Sequence, residues 1–139
     1  MYHDALRELK KEISRSRRLE HPLSIVVMGL ATPGPQLQDR SNQLHLLRCG
    51  SAIREVLREI DMVVYDSKSE HYIMLLPATT SAQTTKSVDR VKSLFAKGMM
   101  ERLVVGIAEF PIDGLFVEDL LEVAIGRARQ ASILAQSTG

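Results

Sequence analysis

Tryptophan is absent from this 139-residue chain, and aromatic residues make up only 4% of it. A surface that binds single-stranded nucleic acid needs exposed rings on which bases stack, so that function is disfavoured at the outset. Cysteine is nearly absent too. The single Cys49 excludes an internal disulfide framework and most zinc sites, and it suits a reducing compartment. No stretch approaches the roughly 20 apolar residues of a membrane span, and no signal sequence opens the chain; a cytoplasmic domain is expected. Neither sign of charge is in excess: 18 Lys and Arg stand against 17 Asp and Glu, a net charge of +1. No global field therefore draws the chain to nucleic acid or to an anionic membrane. The histidines, His3, His21, His45 and His71, show no metal-ligand spacing, and neither a metal nor another cofactor is expected. Internal repeats, linkers and low-complexity tracts are missing. What is present is 45% hydrophobic and 25% charged, enough apolar material for one core. The expectation is a single domain over residues 1–139, either whole or cut from a longer signalling protein.

The densest structural signal is Asp61 to Pro77, DMVVYDSKSEHYIMLLP. Two apolar, β-favouring runs, Met62 to Tyr65 and Tyr72 to Leu76, flank the turn residues Asp66, Ser67, Lys68 and Ser69. This reads as a hairpin. Both runs are apolar on both faces, so the hairpin is expected to be central and helix-covered, with its tip, Ser67 to His71, presented to solvent. Upstream, Tyr2 to Glu20 reads as a helix with Ala5, Leu6, Leu9, Ile13 and Leu19 on one stripe, stopped by His21-Pro22. Arg15, Arg17 and Arg18 at its end either bind phosphate or form a solvated terminus that complements the helix dipole; the second reading is preferred. Leu23 to Leu30 is a buried strand. Ala31 to Arg40, with two prolines and a glycine, is a loop, and Ser41 or Asn42 caps a helix running to about Ile60. Its apolar stripe includes Leu46, Leu47, Ile53, Val56, Leu57 and Ile60, with Gly50 as a weak point. After the hairpin, Thr79, Thr80 or Ser81 caps a helix of about Ala82 to Lys97, with Val88, Val91, Leu94 and Phe95 inward. Leu103 to Phe110 is a fourth strand. In the turn Pro111 to Gly114 the proline starts the turn, the aspartate bonds its own backbone and the glycine takes positive φ. Val117 to about Leu134 is the last helix, followed by a fraying tail. The fold class is α+β, a ferredoxin-like βαββαβ sheet with helices on one face.

Three stretches carry a family resemblance. Glu12 to Met28, EISRSRRLEHPLSIVVM, resembles the opening helix and first strand of GGDEF domains, the diguanylate cyclase family, of the nucleotide-cyclase palm type. DMVVYDSKSEHYIMLLPAT resembles their signature hairpin, and Val104 to Ala124, VVGIAEFPIDGLFVEDLLEVA, resembles their fourth strand, turn and last helix. The resemblance implies bacterial cyclic di-GMP signalling. Active members join two GTP molecules, one held by each subunit of a dimer, using divalent metal bound by two acidic groups. The resemblance also implies that this chemistry is lost. The first metal acid falls at Gly29 and the second acid of that motif at Ala31. The Phe-Lys and Asn-Asp positions fall near Pro33-Gly34 and Leu37-Gln38. The signature becomes Lys68, Ser69, Glu70, His71 and Tyr72, keeping an acid and an aromatic but placing a Cβ at both glycine positions. The lysine expected in the last helix falls at Ser132.

His71 as a general base oriented by Glu70 is a poor geometric prospect, because neighbouring strand residues face opposite ways. Cys49 as a nucleophile lacks a histidine at a recognisable spacing, and a small helix residue is the preferred reading. One family site remains. The inhibitory product site R-x-x-D matches Arg58-Glu59-Ile60-Asp61, and its completing arginine matches Arg90. Guanidinium groups grip phosphate and the guanine Hoogsteen edge, and a carboxylate accepts from guanine N–H groups. Alternatively, Arg58 simply pairs with Glu55 or Asp61. The segment between Asp61 and the signature is one residue longer than the family pattern, so a bulge that re-aims Asp61 is expected. Two functions follow: a catalytically inactive domain that senses cyclic di-GMP through Arg58, Asp61 and Arg90 and relays it to an attached domain or protein partner, or a ligand-independent interaction or dimerisation module, a homodimer included.

Overall fold

The computed structural model describes residues 2–31, 37–95 and 97–138. Helix α1 (Tyr2–Leu19) leads into strand β1 (Leu23–Leu30), then α2 (Leu37–Arg48), α3 (Gly50–Val56), the hairpin β2 (Met62–Asp66) and β3 (His71–Pro77), α4 (Ser81–Lys92), the short α5 (Lys97–Met100), β4 (Leu103–Phe110) and α6 (Val117–Thr138). The strands form one sheet in the order β2-β3-β1-β4, each neighbouring pair antiparallel. That is the expected ferredoxin-like βαββαβ arrangement.

The expectation of helices on one face is corrected. Leu23, Ile25 and Val27 of β1 pack with Ile73 and Leu75 of β3 against α1 and α6, through Leu9, Ile13, Leu120 and Ala124. Val26, Met28 and Leu30 pack with Tyr72, Met74 and Leu76 against the other layer, through Leu46, Ile53, Val88, Val91 and Phe95. Strands β1 and β3 carry apolar side chains at consecutive positions, and each parity needs its own cover.

The hairpin is only half central. Strand β3 is buried from Tyr72 to Leu76, whereas all five residues of β2 are half-buried because β2 is an outer strand. Its register runs unbroken from Met62 opposite Leu75 to Asp66 opposite His71. The expected bulge is therefore not in the strand. The turn is residues 67–70, where Glu70 takes φ 58° and donates its N–H to Asp66 O at 2.8 Å. The Asp66 carboxylate holds the same turn, accepting from Ser69 Oγ at 2.7 Å and from Lys68 N at 3.3 Å.

Other boundaries shift for local reasons. The tail of α1 closes with His21 N donating to Ser16 O (3.0 Å) and Glu20 N to Arg17 O (3.4 Å), around Glu20 at φ 55°. This is a left-handed helix stop that Pro22 cannot continue. Ser16 is buried there, and Leu19, expected on the stripe, is 51% exposed. The loop expected to reach Arg40 gives way to helix already at Leu37; residues 32–36 lie outside the described residues. Ser41 and Asn42 thus sit inside α2 rather than capping it. The helix expected to reach Ile60 breaks at Cys49, restarts at Gly50 and ends at Val56, leaving Leu47 and Ile60 exposed. Thr80 is the cap of α4, in a reciprocal capping box with Gln83. That helix ends at Lys92, not Lys97, and Leu94 turns partly outward. Helix α6 continues past Leu134 to Thr138, through Ala and Gln residues that favour helix.

The turn before α6 departs from expectation at its glycine. Asp113 does bond nearby backbone, accepting from Glu109 N at 2.8 Å, but Gly114 is not at positive φ. A Cβ on it would lie 3.0 Å from Asp119 Cβ, so close approach of α6 is what favours glycine there. Arg127 of α6 hydrogen-bonds Asp113 at 2.9 and 3.0 Å and holds its carboxyl below the usual carboxylate range. No helix among the described residues is long and apolar enough to cross a membrane.

Candidate functional site

Gly29 lies near the end of β1, one residue beyond the pair formed by Met28 and Tyr72. The parity of the strand turns Gly29 toward the α6 face, and His71 of β3 has the same parity. The His71 imidazole lies over the glycine. A Cβ built on Gly29 would be 2.5 Å from Cδ2 of that ring and 2.9 Å from Nε2, well inside any real contact. Where the family resemblance implies a metal-binding carboxylate, this chain has a bare backbone covered by an imidazole. The His71 Nδ1 is buried without a hydrogen-bond partner among the described residues. Glu70, the retained acid, is exposed at the left-handed position of the turn. Among the described residues no group of three His, Cys, Asp or Glu side chains is placed to hold a metal ion. The residues present do not fit the phosphate-bridging metals of a cyclase. Ser132 lies within α6.

The other signature aromatic is tied to the opposite face. Tyr72 is 3% exposed, and its hydroxyl lies 2.9 Å from both Leu46 O and Leu47 O. The Tyr72 hydroxyl proton is shared between the last carbonyls of α2, beside the bond from Cys49 N to Leu46 O at 3.2 Å, where the helix ends before restarting at Gly50. A Cβ on Gly50 would sit 3.2 Å from the same hydroxyl. Tyr65 packs edge-on against Tyr72, with ring centroids 5.0 Å apart. Gln43 of α2 reaches across to the hairpin, donating Nε2 to Tyr65 Oη at 3.0 Å and to Glu70 O at 3.2 Å. The cleft between α2 and the hairpin tip is bridged by the protein's own side chains.

Burial pushes the Tyr72 hydroxyl from 10.0 up to about 12. The unfolded chain therefore releases this proton before the folded chain does. Stability contributed by the neutral hydroxyl is fully present below pH 10 and is lost as pH rises toward about 12. Tyr72→Phe should flatten that alkaline fall in melting temperature while lowering stability near neutrality, where α2 loses its donor. An alkaline limb equally steep in the variant would assign the effect to another group.

The Arg58 and Asp61 pair predicted from sequence is brought together. Asp61 is 3% exposed and accepts Arg58 N at 2.8 Å, Arg58 Nε at 3.1 Å and Arg58 Nη2 at 2.7 Å. The same Nη2 reaches Pro77 O at 2.8 Å and Thr79 Oγ1 at 2.7 Å. Arg54 donates to the carbonyls of Arg58 and Asp61. The partner of Arg58 is thus Asp61, not Glu55. Arg90 stands apart on the exposed side of α4, where it donates to Ser87 Oγ of its own helix at 3.2 Å. Arg54 and Thr79 carry no motif signal. Their part in the network follows from the chain's return along β3, which a linear pattern does not display.

The basic cluster at the end of α1 separates. Arg17 donates to Leu115 O at 2.6 Å and lies over the Phe110 and Phe116 rings at 5.9 and 5.7 Å, leaving Arg15 and Arg18 at the exposed helix end. Cys49 does meet a histidine, contrary to expectation. Its Sγ is 3.8 Å from His45 Nε2, one helical turn earlier, a four-residue spacing legible in the sequence. Burial raises the thiol above its usual range, which opposes the thiolate that nucleophilic attack requires.

No family model matches the sequence, and no curated protein matches it. Solved structures do. The GGDEF domain of FimX from Pseudomonas aeruginosa superposes with a TM-score of 0.75 at 17% identity, covering 95% of this chain and 88% of that one. The GGDEF domain of YfiN, also called TpbB, from Pseudomonas aeruginosa gives 0.72 at 17% identity, covering 91% and 85%. A microbial GGDEF domain described with bis-(3,5)-cyclic di-GMP gives 0.66 at 16% identity, covering 99% and 87%. Superposing on these domains over nearly its whole length, the chain has the GGDEF fold.

Proposed function

We propose that this is a signalling domain of GGDEF fold that does not make cyclic di-GMP. The observation that carries this reading is the His71 ring over Gly29, 2.5 Å from where a side chain would begin. Gly29 carries no carboxylate, and the imidazole fills the space where one would begin. Without a carboxylate to hold metals, the phosphates of two GTP molecules lack the charge neutralisation on which phosphoryl transfer depends.

Binding is the remaining output, and cyclic di-GMP at Arg58, Asp61 and Arg90 is the first ligand to test. The register of the three residues supports it, and a GGDEF domain of similar fold is described with that nucleotide. Contact requires Asp61 to surrender part of its bonding to Arg58 and requires Arg90 to leave Ser87. The burial of Asp61 favours a second reading, in which Arg58 and Asp61 are a structural clasp and the domain acts as a ligand-independent interaction module. Calorimetric titration decides between them. The sensor reading expects a Kd of about 1 μM or tighter, lost in Arg90→Ala, a surface change that leaves the clasp intact. Absence of heat at high ligand concentration leaves the module.

A further inference from the structure

We propose that the outer edge of β2 pairs antiparallel with the same edge of a second copy of this chain, joining two sheets into one. The two edges of the sheet are treated differently. On β4 the free backbone is occupied: Arg127 Nη1 donates to Ile107 O at 2.6 Å, and Glu109 N donates to Asp113 at 2.8 Å. The Glu109 side chain also accepts Ser81 N at 2.6 Å, anchoring α4 beside that strand. Among the described residues, no side chain hydrogen-bonds the outer backbone of β2. Arg54 stops one residue short, at Asp61 O. The strand itself, Met-Val-Val-Tyr-Asp, contains no lysine or proline and keeps unbroken register with β3, without a bulge. These are the devices by which proteins blunt an open edge.

Self-pairing about Val64 is complementary along its length. Val64 faces Val64, Val63 faces Tyr65 and Met62 faces Asp66, so no carboxylate opposes a carboxylate. Antiparallel partners share a face, and Val63 and Tyr65 both belong to the α2–α4 side. Aromatic and β-branched residues opposite one another are favourable cross-strand pairs. Exposed Ile60 lies at the same margin.

This interface deepens the module reading, and it stands or falls independently of cyclic di-GMP. Light scattering after size exclusion should show monomer giving way to dimer across about 10–500 μM, the range of a small transient interface. Val64→Lys, which sets like charges against one another, should keep the protein monomeric with an unchanged circular dichroism spectrum. Strand partners sit about 4.5–5.5 Å apart between Cα atoms, within disulfide reach. Val64→Cys in a Cys49→Ser background should therefore cross-link to itself under copper–phenanthroline, and Arg90→Cys should not. A monomer at every concentration, a dimer that survives Val64→Lys, or equal cross-linking of the two cysteine variants would overturn the proposal. Failure of cyclic di-GMP to bind, with the dimer intact, would remove the sensor reading alone.

Discussion

Arg58→Ala should lower the free energy of unfolding by about 2–3 kcal/mol, and Asp61→Ala by a similar amount. Removing the guanidinium leaves a carboxylate that is 3% exposed with Arg58 N as its remaining donor from that residue. Removing the carboxylate frees an arginine that still reaches Pro77 O and Thr79 but no longer closes the end of α3 onto β2. The full cost of breaking a buried pair is not expected, because the Arg58 side chain is 48% exposed and water compensates part of its loss. The two changes act on one contact, so the double variant Arg58→Ala/Asp61→Ala should cost less than the sum. Urea denaturation of the four proteins measures the coupling. Strict additivity would mean that the clasp is not a unit, and it would weaken the structural reading of Asp61.

Gly106→Ala should be more damaging, at about 3 kcal/mol or more. The Cβ would lie 1.8 Å from Ala124 O and 2.6 Å from Ala128 N. Both are backbone atoms of α6, so no rotamer change relieves the clash; the helix must lift from β4. That contact covers Ala108, Leu120 and Ala124, which belong to the core on this side of the sheet. Gly126, on the same helix, has nothing within 4 Å of its ideal Cβ, and Gly126→Ala should be neutral or stabilising by up to about 1 kcal/mol. Thermal unfolding of the pair separates packing from helix propensity. Equal melting temperatures would contradict the close α6–β4 approach.

The strands were legible in the sequence because their signals are local. LSIVVMGL and LVVGIAEF are continuous β-favouring runs, and both match the observed strands residue for residue. The helix stop at His21-Pro22 was also legible, since proline acts on the preceding backbone. What failed was non-local. The break at Cys49 meets a tyrosine hydroxyl arriving from β3. The second layer of helices depends on where α1 and α6 return. The edge position of β2 depends on strand order, which apolar content alone does not set. At the site, the loss of side chain at Gly29 was visible in the sequence, but not that His71 covers it. That contact joins residues 42 apart, and it needed the cross-strand register to be seen. The pairing of Arg58 with Asp61 was among the readings available, and burial of Asp61 is the fact that a motif cannot carry.

Incubation of the purified protein with GTP and Mg²⁺ or Mn²⁺, with the nucleotides resolved by chromatography, tests the proposed loss of cyclase chemistry most directly. With the imidazole of His71 lying where a metal-binding carboxylate would stand, GTP should be recovered unchanged and no cyclic di-GMP should accumulate, at any protein concentration up to that which drives dimerisation. Steady formation of cyclic di-GMP, proportional to protein and abolished by Glu70→Gln, would show that another arrangement supplies the metals and would contradict the reading of Gly29.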